Sequence, residues 1–159
     1  MARNRVNKGR FTAKIEGDFV VFIIGMRFNK PWKVHKWWTF FTAMPKMLSE
    51  LSRHPDKGLL GARSVVGGRT ISVIQYWRSF EDLEAFARNT DDVHFPVWRR
   101  FNAKVGANGD VGIYHETFKV SSGAYECVYA NMPVIGLAAA GEHISVSAAR
   151  DRARDRIAA

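Results

Sequence analysis

A single cysteine, Cys127, in 159 residues leaves no internal disulfide framework and fits a reducing, cytoplasmic setting. No apolar run exceeds Phe19–Met26, well short of the roughly 20 residues a membrane span requires. The basic N-terminus is not followed by an apolar stretch at signal-peptide distance, so no export signal is expected. There is no Cys-x-x-Cys pair, no His-x-x-x-His pair and no Ser-His-Asp order. Gly136 and Gly141, around Leu-Ala-Ala-Ala, do not follow a strand into a helix, which excludes a phosphate loop.

What is present is apolar and aromatic. Hydrophobic residues make up 47% and aromatics 13% of the chain, which excludes disorder and gives one domain's worth of core. The net charge of +9 is concentrated at the N-terminus, where Arg3, Arg5, Lys8, Arg10 and Lys14 precede the first acid. Such an arm can meet phosphates, but a solvated arm without a specific nucleic-acid partner is the expectation. The tail Arg150–Arg156 alternates charge sign and reads as a solvated helix or a loose end.

Along the chain, Phe19–Phe28 is continuous, apolar and rich in β-branched residues, as in a strand covered on both faces. Val34, Trp37, Phe41, Met44, Leu48 and Leu51 follow at helical spacing, with Pro45 expected to kink or split the helix. Leu59–Val66 and Arg69–Arg78 form a hairpin around Gly67-Gly68. Ser79, with Asp82 three residues on, caps a second helix. A further helical piece spans Val93–Ala103, and strands are expected at Val111–Val120 and Tyr125–Met132. The β-α-β-β-α-β order is ferredoxin-like α+β. Strands apolar on both faces call for a second copy, so a homodimeric α+β barrel is expected. The boundaries read as a basic arm at 1–18, the barrel domain at 19–135 and a flexible tail at 136–159.

Two histidines stand out. His94 opens the Val93–Ala103 piece, with Trp98 and Phe101 at four and seven residues on one face. On the following strand, alternation places His115 with Val111 and Ile113, and Tyr114, Glu116 and Phe118 opposite. A helix-borne and a strand-borne imidazole can serve one pocket, as metal ligand or as acid/base near neutral pH. Taken alone, each is more readily a histidine satisfied by a backbone carbonyl or at the dimer seam. Trp32, Trp37 and Trp38 among Lys30, Lys33 and Lys36 resemble an interfacial membrane helix, though core or dimer-seam packing is expected.

From Phe19 to about Leu137 the chain resembles the fumagillin-pathway branch of the antibiotic-biosynthesis-monooxygenase superfamily. Tyr76-Trp77-Arg78-Ser79-Phe80, Trp98-Arg99-Arg100-Phe101, Gly112–Thr117 and Tyr129-Ala130-Asn131-Met132-Pro133 carry that likeness. The C-terminal half is similar to the second repeat of the haem-containing aldoxime dehydratases, through Tyr114-His115-Glu116 and Glu126-Cys-Val-Tyr129-Ala-Asn131. That resemblance implies haem b, with His94 as proximal iron ligand and His115 acting over the opposite face. Trp98 and Phe101 would then lie on the porphyrin, and Arg99 or Arg100 at its propionates. The chain is less than half the length of those dehydratases and has Asp91-Asp92-Val93 where they have a His-Pro-Thr lead-in. The implied activity is small-molecule chemistry at the iron, aldoxime dehydration being the specific case. The alternatives are a cofactor-independent monooxygenase and a non-catalytic haem carrier or sensor.

Overall fold

The computed structural model describes residues 5–89, 99, 103, 108–147 and 151–157, with the backbone alone at 39, 42 and 43. His94, Trp98 and Phe101, and most of the helical piece expected around them, lie outside these residues.

Four strands form the main sheet: β2 (Phe19–Phe28), β3 (Leu59–Gly67), β4 (Thr70–Trp77) and β5 (Val111–Val120). Their order, β3-β4-β2-β5 with every neighbour antiparallel, is that of a ferredoxin-like α+β fold. The apolar run β2 takes an interior place, paired with β4 on one side and along its whole length with β5 on the other. The β3–β4 turn is Gly68-Arg69, one residue later than the sequence suggested. Gly68 adopts φ 56° at the first turn position, as a primed hairpin turn requires.

Helices α1 (Val34–Arg53) and α2 (Phe80–Arg88) cover one face of this sheet. Phe40 and Met44 pack on Met26, Ile71, Val73 and Val111, while Leu51 and Leu83 close on Val20 and Trp77. Trp77 and Val73 have no exposed surface; truncating residues so placed typically costs about 3–5 kcal/mol for a Trp. The α2 cap is as expected, the Ser79 hydroxyl accepting the Asp82 N–H at 3.0 Å.

Helix α1 departs from expectation twice. It is one continuous helix through Pro45. That proline faces solvent, where water can satisfy the carbonyl its missing N–H leaves free. The core face is also rotated: Trp37, Phe40, Met44, Leu48 and Leu51 point inward, whereas Val34 and Phe41 are exposed.

Both ends of the chain join the folded unit. Residues Asn7–Lys14, expected within a solvated arm, form strand β1. It is the central strand of a second antiparallel sheet, between β6 (Tyr129–Met132) and β7 (Glu142–Ser145). Only the last four residues of the expected Tyr125–Met132 strand are strand, and they pair with β1 rather than with the main sheet. The stretch expected to be loose contributes β7 and a short helix, α3 (Leu137–Ala140); α4 (Ala153–Ile157) follows. These segments cover one end of the sheet's other face, where Ile15, Phe19 and Tyr76 are buried with Tyr125, Leu137 and Ala140 against them. The Tyr125 hydroxyl fastens the junction, accepting the Ile15 N–H at 2.6 Å and donating to the Ile15 carbonyl at 3.2 Å.

Candidate active site

Alternation along β5 decides which side chains meet the helices. Val111 is buried with α1, so Ile113, His115 and Thr117 share its face. His115 pairs across the sheet with Ile24, and Thr117 with Phe22, whose ring centroid lies 5.8 Å from the imidazole. On the far side of β2, Gln75 of β4 also pairs with Phe22. The three polar groups thus stand on one sheet surface, Gln75 and Thr117 about 10 Å apart across two strand spacings, with Phe22 and Ile24 between them.

Above this surface a cavity of about 380 Å³ opens between sheet and helices. Met44 and Met47 of α1 and Phe80, Leu83, Phe86 and Ala87 of α2 line it with Phe22 and Ile24. Its polar lining comprises His115, Thr117, Gln75 and Glu84. The volume lies at the lower end of the roughly 300–1,000 Å³ of small-molecule sites. Glu84 is paired with Arg88 one helical turn on, at 2.8 Å.

Gln75 is the residue the sequence reading missed. It is buried, and its side-chain oxygen accepts the Trp77 indole N–H at 2.8 Å. That bond fixes the amide and leaves its amino hydrogens for other acceptors. The available signal was the alternation of β4: Ile71, Val73, Gln75 and Trp77 form its inward stripe, and only one of them is an amide.

The start of the His115 strand is anchored electrostatically. Asp110, directly before β5, is buried and meets Lys30 at 2.9 Å and Lys33 at 2.7 Å. Hydrogen bonds from Lys33 and Lys30 hold its carboxyl down at about 2. Asp110 thereby ties the β2–α1 connection to the strand that carries His115. The other described histidines lie elsewhere: His35 is exposed on α1, His54 sits 3.9 Å from Asp56, and His143 stacks on Phe11 at 4.3 Å. Cys127 is half-buried, beside the Thr12 hydroxyl. Among the described residues, no group of three or more His, Cys, Asp or Glu is placed to hold a metal ion. None of their helices is long and apolar enough to cross a membrane.

A family model described as Monooxygenase af470-like matches residues 19–137, from the first residue of β2 to the first of α3. The chain belongs to the Monooxygenase af470-like family. Within it, the curated Monooxygenase af470 of Aspergillus fumigatus (strain ATCC MYA-4609 / CBS 101355 / FGSC A1100 / Af293) is 30% identical over 148 residues, covering 79% of this chain and 52% of that protein. This af470-like chain therefore spans about half the length of that relative. Its fold is shared with an aldoxime dehydratase (OxdRE) crystallised with butyraldoxime, at a TM-score of 0.61 and 15% identity over 82% of this chain and 40% of the dehydratase. That likeness to the dehydratase shows the fold alone. In this af470-like chain, the cavity sets apolar walls beside the His115 imidazole.

Proposed function

We propose that this chain is a haem-dependent enzyme acting on a small, largely apolar molecule in the cleft between sheet and helices. In this reading His115 is its acid/base and His94 its iron ligand. The observation that carries the reading is the placement of His115: an exposed imidazole on the sheet side of a cavity walled mainly by Phe, Leu, Ile and Met side chains. The described walls fit a porphyrin in kind, since Phe22, Ile24, Met44 and Leu83 offer flat or pliable apolar surface. His94 is six residues beyond Arg88, the end of a helix that lines the same cavity, and so within chain reach of it. Bound haem with one imidazole ligand supplies an open iron position at which a nitrogen- or oxygen-bearing group is activated.

The chain's own residues account for the rest. Apolar walls hold the substrate's hydrocarbon part. The Gln75 amide and Thr117 hydroxyl orient its polar end. His115 delivers a proton to the aldoxime hydroxyl, which departs as water as the N–O bond breaks, and takes up the proton released from the aldoxime carbon as the nitrile forms, an effect typically worth about 10²–10⁴ in rate. The protein works in the cytoplasm as a homodimer, the exposed outer sheet face around Tyr114 and Phe118 meeting its copy.

Membership of a monooxygenase-named family favours a second reading, in which an electron-rich substrate reduces oxygen directly and His115 serves as the base that deprotonates it. Turnover assays with and without added haem separate the two. The first reading predicts aldoxime turnover that requires haem and falls about 10²–10⁴-fold in His115→Ala. Oxygen-consuming turnover by colourless protein supports the second. No turnover by haem-loaded protein with aldoximes contradicts the first.

A further inference from the structure

Helix α1 carries two apolar stripes where a surface helix needs one. The inner stripe is consumed by the core. The outer one, Val34, Trp38, Phe41 and Pro45, repeats at helical spacing on the solvent side, with Trp38 59% and Phe41 41% exposed. Trp32, just before the helix, is 71% exposed. The exposed rings adjoin half-buried ones, Trp38 lying 6.0 Å from Phe41 and 6.5 Å from Trp37, so the surface is continuous rather than scattered. Between residues 27 and 49 the chain has Arg27, Lys30, Lys33, Lys36 and Lys46 and not one Asp or Glu. The side chains of Lys30 and Lys33 remain partly exposed while paired with the buried Asp110.

We infer that this face of α1 is a docking surface for an anionic lipid bilayer, with Trp32 and Trp38 seated at the headgroup level. Tryptophan combines a large apolar ring with an N–H donor, a pairing suited to the membrane interface. Arg27, Lys30, Lys33, Lys36 and Lys46 outnumber the buried Asp110 that pairs two of them, and this excess of positive charge matches a negatively charged surface, whereas a second copy of the same face would bring like charges together. The inference does not depend on haem.

The test is flotation of the full chain with large unilamellar vesicles, of phosphatidylcholine alone or mixed with phosphatidylglycerol, while following tryptophan emission. The protein is expected to float with the anionic vesicles, with blue-shifted emission and binding that weakens as salt rises. Trp32→Ala/Trp38→Ala should weaken partitioning at least about tenfold with an unchanged circular-dichroism spectrum. Lys46→Glu, at an exposed position beside the stripe, should weaken it while leaving both tryptophans in place. Wild-type protein that stays unbound, or variants that float as well as wild type, would overturn the inference. So would a lipid-free dimer that the double tryptophan variant converts to monomer, because the stripe would then be covered by a second copy.

Discussion

At the scale of single residues, Asp110 shows how a side chain remote from the chemistry positions it. Its carboxyl, held at about 2 by Lys33 and Lys30, is lower in the folded chain than the roughly 3.9 of an unfolded aspartate. The stability it contributes is therefore full above about pH 4 and is lost as pH falls toward 2. Thermal unfolding of wild type and Asp110→Asn across pH 2–7 should show a gap that is wide at neutral pH and closes below about pH 4. A gap of constant width would remove the carboxylate from this role. The side of β5 that His115 occupies was readable in advance, because strand alternation fixes it once Val111 is inside. The Lys30–Asp110–Lys33 contact was not: it joins residues about 80 apart, and no spacing rule relates them.

Secondary-structure elements repeat this division between local and non-local information. The Ser79 cap was legible because the hydroxyl and the N–H it accepts are three residues apart. Ser79→Ala is expected to lower stability by about 1 kcal/mol, within the roughly 0.5–2 usual for lost caps, measured by urea denaturation. Helix α1 was legible in period but not in phase. With apolar residues at 34, 37, 38, 40, 41 and 44, more than one stripe satisfies the helical rule, and only the sheet beneath decides which faces inward. Gly25 shows the same limit on a strand. A side chain there would overlap the Tyr114 ring, which lies across β2 to bond the Ser72 hydroxyl at 2.7 Å. The sequence presents only a glycine in an apolar run.

For the whole molecule, the four-stranded order followed from the succession of strands and helices, since antiparallel neighbours and short connections leave few alternatives. The second sheet did not follow. Its strands come from opposite ends of the chain, pairing Phe11 with Tyr129 and with Ser145. A basic run at one end and a glycine- and alanine-rich stretch at the other look like loose ends until they meet. Tyr125→Phe tests that clasp. Loss of the hydroxyl strands the Ile15 N–H and should cost about 1–3 kcal/mol in urea denaturation, whereas an unchanged midpoint would make the clasp incidental. The same closure matters for function, because it leaves the helix-covered face of the sheet free to hold a cavity. Titration of haem into wild-type protein and His94→Ala, followed in the Soret region, tests the central claim most directly. The account predicts saturation at one haem per chain for wild type and loss of haem retention in His94→Ala with the fold intact. An unshifted spectrum in wild type, or equal retention by the variant, would contradict it.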